Sequence, residues 1–375
     1  MAIHQGTRTN FLILHSRKKD NKREELFDAF VERKMEDFFL WHNRLLLPLF
    51  FIGILGNCII IIYFIRINKN KLRQMNAYHF LVISLAFVDL LICLTTPVMR
   101  YYDTQPQWHL DEFACKFIRP LSYYVLPYIS CWIIVVLSYE RYQTIVNPFG
   151  KRTSKRACLA AMLFLSAVFL GMFTDFFIGN KFENHRCFAV PDSYGRTGNV
   201  VFTILERLFD CFLPTCIMTV CYQRILGSFN RQDRRASCKA SLKRKRTALR
   251  TLKYLIIVYV VFVFPGRIFG TIIYLFSLYI NKAWFNEYLG TLNPIYFTLL
   301  FMCSLNNMVN VFVFIWLVPE FRKFVKNPCS DARTLGKHDT TWTPRTAVRK
   351  NTNSPHSKRL LTTQISISNE YAGQV

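Results

Sequence analysis

Seven long apolar runs are the feature that most constrains how this chain of 375 residues can fold. We call them spans one to seven, and they cover about 45–65, 77–99, 116–139, 157–178, 200–223, 254–280 and 288–317. A bilayer core about 30 Å thick needs roughly 20 apolar residues in a helix to cross it. The runs therefore predict an all-α membrane protein, a bundle of seven transmembrane helices.

The composition agrees with a membrane protein and argues against a soluble one. The chain is 52% hydrophobic and only 19% charged, whereas a soluble domain has about 25% charged residues. Its formal net charge of +25 is concentrated between and after the spans, so we do not expect a nucleic-acid partner. Span five is the weakest prediction, because it contains Glu206, Arg207 and Asp210. These residues predict a face turned to a water-filled cavity rather than to lipid.

Lys and Arg residues in short loops predict the orientation, because they favour the cytoplasmic side of a membrane. The gaps after spans one, three and five are strongly basic, whereas the stretch from Tyr101 to Cys115, after span two and Arg100, has three acidic residues and no Lys or Arg. This pattern puts the N-terminus outside. The domains expected are an extracellular tail over 1–44, the bundle over 45–318, a juxtamembrane amphipathic helix over 319–326 and a disordered cytoplasmic tail over 327–375.

Cysteines divide by the side of the membrane on which they are expected. Cys115, at the outer start of span three, and Cys187, in the loop after span four, are the two that this orientation puts on the oxidising side. They predict a disulfide that fixes the second outer loop across the mouth of the bundle. Cys329 follows an amphipathic stretch that includes Phe321 and Phe324, and it is a candidate for S-palmitoylation.

A carboxylate at mid-membrane depth, Asp89 in span two, needs polar or cationic partners inside the bundle. Polar residues of the neighbouring spans could supply them: Asn57, Ser130, Asn306, Asn307 and Asn310. One interpretation is a hydrogen-bonded polar cluster that holds helices together. The other is a small-cation site coupled to a change of shape. The residues alone favour neither.

Short motifs along the spans, taken together, resemble those of a known family. Glu140-Arg141-Tyr142 ends span three, 25 residues after Cys115, and Pro148 follows it. The other motifs are Gly56-Asn57 in span one, Leu85-Ala86-x-x-Asp89 in span two, Pro214 and Tyr222 in span five, Pro265 in span six, and Phe321, Arg322 and Phe324 after span seven. In this order, over about 45–326, the chain resembles a rhodopsin-like (class A) G-protein-coupled receptor.

The chain also departs from the family pattern. Where the family has Asn-Pro-x-x-Tyr in span seven, the sequence is Asn310-Val-Phe-Val-Phe, which lacks the proline and the tyrosine. Val263 replaces the usual Trp before Pro265. Lys245 stands where some members have an acid that holds Arg141, so that ionic contact is expected to be absent.

The resemblance implies a plasma-membrane receptor that binds an extracellular ligand and activates a heterotrimeric G protein. Residues expected to couple to the G protein are Glu140, Arg141, Tyr142, Pro148 and Tyr222. The sixth helix is expected to swing outward about Pro265, because proline lacks an amide hydrogen and weakens the helix there. Asp89, Ser130, Asn306 and Asn310 would then form a site for Na⁺ as an allosteric ion.

The outer half of the bundle indicates the kind of ligand. Span seven has no lysine for a retinal Schiff base, and Tyr123 stands where amine receptors carry an aspartate. The candidate ligand-binding residues mix both charges with aromatics: Arg119, Tyr123, Glu206, Arg207, Asp210, Arg267 and Tyr274. Such a set suits a peptide, and a neuropeptide is the favoured ligand. Glu206 or Asp210 could instead simply pair with Arg207 or Arg267.

The polar tail from Asn327 to Val375 is rich in Ser and Thr and is disordered by composition. Phosphorylation by receptor kinases would make it a binding strip for arrestin. Basic segments of the third inner loop and the tail are expected to lie on anionic membrane lipid.

The alternatives to a signalling receptor are a transporter, an enzyme and a receptor-like protein that does not signal. A seven-helix transporter is disfavoured because the sequence shows no internal repeats. An enzyme is disfavoured because the sequence contains no nucleotide loop, no nucleophile motif and no metal-ligand spacing. A receptor-like protein that binds ligand without G-protein signalling stays open, because the motif in span seven is altered.

Overall fold

In the computed structural model, the structure describes residues 22–69, 75–105, 107–147, 150, 153–188, 195–233, 239–279 and 282–326. These residues form helices and one two-stranded sheet. The tail from 327 onward, with Cys329, and the residue Pro148 lie outside the described residues.

Each predicted span lies in a helix. The helices of spans one to four are Lys22–Ile67, Ala77–Thr104, Ala114–Ile118 with Leu121–Val125 and Leu126–Val146, and Lys155–Met172 with Thr174–Gly179. Those of spans five to seven are Gly195–Arg207 with Leu208–Phe212 and Leu213–Asp233, Lys239–Phe262 with Phe264–Tyr279, and Lys282–Leu317. A last helix, Pro319–Lys326, follows span seven as predicted.

Six of these helices, in the part of the chain that the structure describes, are long and apolar enough to cross a bilayer. They belong to spans one, two, three, four, six and seven. Span five is helical over its whole described length, but it is not among the six. It contains Glu206, Arg207 and Asp210, the charged residues that made it the weakest of the seven predictions from the sequence.

Span one begins earlier than the sequence indicated. Its helix starts at Lys22, inside the segment 1–44 that was expected to be a tail, and continues without a break to Ile67. The apolar run alone marked only the part of this helix that crosses the membrane, because the first half of the helix is rich in charged residues.

Spans two and four begin with side-chain caps. The side chain of Asn76 accepts a hydrogen bond from the His79 amide at 2.8 Å, and Ser154 accepts one from the Ala157 amide at 3.1 Å. Each satisfies an amide that has no carbonyl partner in the first turn of a helix. The caps fix where these two helices start at the same end of the bundle.

Span six is broken where the hinge was predicted. Its helix stops at Phe262 and resumes at Phe264, so the break at Val263 lies two residues before Pro265. Proline has no amide hydrogen, and its ring displaces the preceding turn. The neighbouring Gly266 has no room for a side chain, since a β-carbon there would lie 2.6 Å from the sulfur of Cys303 in span seven. Spans six and seven therefore approach closely beside the break.

Spans three and five each contain π-helical turns, in which the backbone hydrogen bond spans one residue more than in an α-helix. They cover Ala114–Ile118 and Leu121–Val125 in span three and Leu208–Phe212 in span five. Such turns occur often at functional sites. Here they adjoin Arg119 and Arg207, both of which are buried.

Apolar packing joins the helices. Buried Tyr128 of span three contacts Phe169 and Phe173 of span four, with ring centroids 5.2 and 4.9 Å apart. At the far end, Phe321 and Phe324 of the last helix pack on Tyr63 of span one at 5.0 and 5.1 Å. The last helix thus has one buried apolar face and is amphipathic, as predicted. Large apolar side chains elsewhere on the spans remain exposed in the isolated bundle, which suits contact with lipid.

Candidate functional site

The disulfide between Cys115 and Cys187 closes one end of the bundle, as predicted, and we call this the disulfide end. Cys187 lies on strand β2, Arg186–Phe188, which pairs antiparallel with β1, Lys181–Glu183. Asn180 donates a hydrogen bond to the carbonyl of Cys115 at 3.0 Å, next to the start of this hairpin. The hairpin is therefore tied to the head of span three by a covalent bond and a hydrogen bond.

Below the hairpin, two of the predicted ligand-binding residues bind the same carboxylate, in a group that we call the Asp103 cluster (Asp103, Arg119 and Tyr123). Arg119 Nε lies 2.9 Å from Asp103 Oδ1, and the Tyr123 hydroxyl donates to Asp103 Oδ2 at 2.8 Å. Arg119 is buried, with 3% of its surface exposed. The cluster links span two to span three.

Four other predicted ligand-binding residues form a second group, the Asp210 cluster (Glu206, Arg207, Asp210 and Arg267). Arg207 lies 2.5 Å from Glu206 and 2.9 Å from Asp210. Arg267 of span six lies 3.1 Å from the same oxygen of Asp210. Two cations and two anions thus balance each other, which is how charged groups are tolerated away from water.

Backbone carbonyls around the π-helical turn of span five hold the Asp210 cluster in place. The hydroxyl of Tyr128 donates to the carbonyl of Glu206 at 3.2 Å, and the Trp132 indole donates to that of Phe209 at 3.1 Å. Tyr259 of span six donates to the carbonyl of Asp210. These bonds connect span five to spans three and six at the depth of the break in span six.

The predicted ligand-binding residues are therefore not one continuous set. Six of them lie in the two clusters, and the alternative in which Glu206 and Asp210 pair with the arginines is the arrangement found. Tyr274 belongs to neither cluster and packs in an apolar group with Ile273 and Tyr296. A role for these residues in ligand binding stays a prediction.

At mid-depth, Asp89 is completely buried and binds two of its predicted partners. Ser130 donates to one carboxylate oxygen at 2.7 Å, and Asn310 donates to the other at 2.8 Å. Asn57 donates to the carbonyl of Asn307 at 3.2 Å, which ties span one to span seven. Within the described residues, the side-chain oxygens of Asn57, Asn306 and Asn310 are buried and have no hydrogen-bond donor.

This arrangement contains the polar cluster that the sequence predicted, and it also leaves oxygen atoms with free lone pairs. Carboxylate, amide and hydroxyl oxygens are the ligands that hard cations prefer. Asp89, Ser130, Asn306 and Asn310 therefore fit the chemistry of a small-cation site, and the hydrogen bonds alone fit a structural role.

At the opposite end of span three, which we call the Arg141 end, the guanidinium is held by two groups. Arg141 Nε lies 2.7 Å from Glu140 Oε2, and its guanidinium carbon lies 3.7 Å from the ring centroid of Tyr78 in span two. The second oxygen of Glu140 accepts a hydrogen bond from Thr144 at 2.9 Å. Tyr78 was missed by sequence reasoning, because its contact depends on which helices are neighbours.

Apolar residues surround this end. Tyr142 and Tyr222 pack in one cluster with Ile145, Leu249 and Leu252, which joins spans three, five and six. A narrow space beside Arg141 is lined by Tyr78, Leu137, Thr251, Leu252 and Leu255. Leu252 belongs to the apolar cluster around Tyr222 and also lines the space beside Arg141. The helix of span six therefore lies against both residues. The side chain of Lys245 lies outside the described residues.

Comparison with known proteins gives one family over most of the chain. The model of the 7 transmembrane receptor (rhodopsin family) matches residues 56–314. Similar proteins include the "Probable G-protein coupled receptor 19" of Rattus norvegicus, 26% identical over 222 residues, or 58% of this chain and 51% of that protein. The "Neuropeptide Y receptor type 4" of Rattus norvegicus is 26% identical over 301 residues, 73% of this chain and 75% of that protein.

A third similar protein, the "C-C chemokine receptor type 3" of Cavia porcellus, is 28% identical over 223 residues, 58% of this chain and 59% of that protein. The chain spans about half the length of the first of these relatives and three quarters of the second. The matched region contains the Asp103 cluster, the Asp210 cluster, Asp89 and Arg141.

Proposed function

Because this chain belongs to the rhodopsin family of seven-transmembrane receptors, we propose that it binds an extracellular peptide at its disulfide end and activates a heterotrimeric G protein at its Arg141 end. Members of this family are signalling receptors of the plasma membrane rather than enzymes. The chain is accordingly a multi-pass membrane receptor.

One observation carries the proposal: Arg141 is held against Glu140 and the ring of Tyr78 in a space whose far wall is span six. Movement of span six would open this space and expose the guanidinium. An exposed cation surrounded by apolar side chains is a surface on which the C-terminal helix of a G-protein α subunit could bind. Glu140, Tyr142 and Tyr222 would line the same surface.

The Asp210 cluster offers a physical link between ligand and hinge. Arg267 lies two residues after Pro265, and its ion pair with Asp210 joins span six to span five beside the break. A ligand group that competes for Arg267 or Asp210 would change this contact. The ligand would move span six only to the extent that it binds the protein more tightly in one position of span six than in the other.

The choice of a peptide rests on the charged residues and on similarity. The two clusters present buried charges of both signs near aromatic side chains. One similar protein is named a neuropeptide Y receptor, one a chemokine receptor, and one, from Gallus gallus, "Lysophosphatidic acid receptor 6". We favour a neuropeptide, and a lipid ligand is the main competing outcome.

The remaining roles follow the same scheme. Na⁺ at Asp89, Ser130, Asn306 and Asn310 would add positive charge to the buried carboxylate and stabilise the resting arrangement of spans two, three and seven. The tail over 327–375 would be phosphorylated by receptor kinases and bind arrestin. Cys329 would carry a palmitoyl group, and the basic inner segments would lie on anionic lipid.

Guanine-nucleotide exchange tests the proposal most simply. The full chain in lipid nanodiscs, mixed with a heterotrimeric G protein, should accelerate nucleotide exchange when a pool of neuropeptides contains its ligand. Arg141→Ala should reduce the response, whereas Arg322→Gln serves as a control because Arg322 binds the carbonyls of Ile315 and Trp316 at the end of span seven.

One observation favours a second function, a receptor-like protein that binds ligand without G-protein signalling. Span seven is a continuous helix from Lys282 to Leu317, and Phe314 stands in place of the family tyrosine. Tyr222 therefore has no hydroxyl partner at that position. Peptide binding without any acceleration of nucleotide exchange would select this function over the first.

A further inference from the structure

Arg100 of span two, which the sequence did not single out, lies near the Asp103 cluster without a carboxylate of its own. Its side chain is half-buried, and its Nη2 donates to the carbonyl of Leu300 in span seven at 3.4 Å. Among the described residues, no carboxylate lies within ion-pair distance of Arg100. The hydrogen-bond acceptor of its guanidinium is therefore a neutral group, the carbonyl of Leu300.

The carboxylate nearest in sequence is already engaged. Asp103 lies three residues after Arg100 on the same helix, a spacing at which an ion pair would be expected. Both of its oxygens instead bind span three, one to Arg119 and the other to Tyr123. The helix thus presents an acid to span three, and toward span seven an arginine that pairs with no carboxylate of the described residues.

The charges of the two clusters and Arg100, taken together, leave one positive charge unbalanced. The Asp210 cluster has two cations and two anions, and the Asp103 cluster has one of each. Arg100 adds one further positive charge. Arginine stays protonated at any physiological pH, so this charge cannot be lost to a proton transfer.

The surroundings of Arg100 place it toward the interior of the bundle. It interacts electrostatically with Tyr123 of span three and with Tyr296 and Cys303 of span seven. A cation held inside a membrane bundle is costly unless it meets water or a counter-charge, and such residues mark binding sites. A lipid-facing arginine would instead extend toward the headgroups.

We propose that Arg100 binds an anionic group, a carboxylate or a phosphate, on a ligand that enters between spans two, three and seven from the disulfide end. The inference rests on the proposed function as a ligand-binding receptor and specifies the chemistry of its ligand. The planar guanidinium can donate two parallel hydrogen bonds to either group. A peptide would supply a carboxylate, and a lysophospholipid would supply a phosphate.

Direct binding to the full chain in nanodiscs tests the inference with paired probes. One pair is oleoyl lysophosphatidate and neutral mono-oleoylglycerol. The other is a set of neuropeptides, each with a free C-terminal carboxylate and as the C-terminal amide. The rise of the unfolding midpoint with probe concentration gives the apparent affinity of each.

We expect at least one anionic probe to bind the wild-type chain more tightly than its neutral counterpart. Arg100→Gln should weaken that probe by about 30-fold or more, because a desolvated charge pair loses one partner. The neutral counterpart should bind as before. Arg100→Lys should retain part of the preference, since it keeps the charge without the planar fork. Lys116→Gln is the matched control, because Lys116 is a half-buried cation that pairs with the exposed Glu112 at the same end.

Arg100→Gln also distinguishes a binding residue from a structural one. Since Arg100 pairs with no carboxylate in the part of the chain that the structure describes, the variant without any probe should unfold at the same temperature as the wild type or higher. The inference is overturned if no probe shows an anionic preference, or if the preference survives in Arg100→Gln. Binding is measured without a G protein, so a failure of nucleotide exchange would contradict only the proposed function. If only the lipid pair shows tighter binding of the anionic probe, the inference about Arg100 holds and the ligand is a lipid rather than a peptide.

Discussion

In the disulfide half of the bundle, the two buried clusters and Arg100 bring together four arginines and three carboxylates: Arg100, Arg119, Arg207, Arg267, Asp103, Glu206 and Asp210. At the Arg141 end, one guanidinium is held by an adjacent acid and an aromatic ring within apolar surroundings. The first half is fixed by several buried ion pairs that connect different spans. At the second, the ion pair joins neighbouring residues of one helix and only the ring of Tyr78 links Arg141 to another span, so the helices can separate at lower cost.

This difference suits a receptor. Breaking a buried ion pair by removing one partner costs about 3–5 kcal/mol, whereas a cation–π contact contributes only about 0.5–2 kcal/mol. The disulfide half is therefore expected to be rigid, and the Arg141 end is expected to be the part that opens. Substitutions at the two ends should have effects of different size and kind.

The largest effect is expected from Asp210→Asn, which leaves Arg207 with one acid and Arg267 with none. We predict a loss of about 3–5 kcal/mol in the free energy of unfolding, because buried cations lose their counter-charge. A lowered thermal midpoint of the purified chain would measure it. Asp210→Asn combined with Arg267→Gln restores the charge balance and should cost less than the sum of the single variants. Simple additivity would contradict the ion-pair account.

A somewhat smaller effect is expected from Asp103→Asn. The asparagine oxygen can still accept one hydrogen bond from Arg119 or Tyr123, but the buried guanidinium of Arg119 loses its charge partner. We predict a lower unfolding midpoint, with a drop smaller than that of Asp210→Asn because only one arginine is affected. A midpoint equal to the wild type would show that the Asp103 cluster does not stabilise the disulfide half.

At the Arg141 end, Tyr78→Ala should change activity more than stability. Removing the ring frees Arg141 from one of its two contacts, and we predict about a 2- to 30-fold rise in nucleotide exchange without ligand. Tyr78→Phe is the matched control, because it keeps the ring and should stay near the wild type. If nucleotide exchange without ligand is unchanged in Tyr78→Ala, the ring of Tyr78 does not hold Arg141 in the resting state.

The smallest effect is expected at the surface of the disulfide end. Glu112 and Lys116 form an ion pair of 2.5 Å, but the Glu112 side chain is 59% exposed. Exposed pairs contribute about 0–1 kcal/mol, so Glu112→Gln should leave the unfolding midpoint almost unchanged. A drop comparable to that of Asp210→Asn would mean that burial does not explain the difference between the ion pairs.

The fold was largely predictable from the sequence, because a helix that crosses lipid must be apolar over its whole crossing length. The runs located all seven spans, and Phe321 and Phe324 indicated the short helix after them. The N-terminal extension of span one from Lys22 was not predicted, since a polar helix leaves no apolar run. The π-helical turn at Leu208–Phe212 has no composition signal of its own.

The site was predictable only in part. Asp89, Ser130 and Asn310 could be grouped because buried polar residues in a membrane must find one another. The pairing of Arg141 with Glu140 could be predicted from the sequence, but Asp103 and Tyr78 could not be assigned as partners of Arg119 and Arg141, because they meet them from span two only when the bundle is assembled. Arg100 had one available signal, because it directly follows the apolar run of span two and lies three residues before an acid.

The central claim is that the disulfide end faces the outside of the cell and the Arg141 end faces the cytoplasm. Epitope tags at the N-terminus and in the turn of the β1–β2 hairpin, and separately at the C-terminus, test it by antibody staining of living cells. We expect the first two tags to be stained in intact cells and the C-terminal tag only after permeabilisation. Staining of the N-terminal and C-terminal tags alike in intact cells would contradict the account.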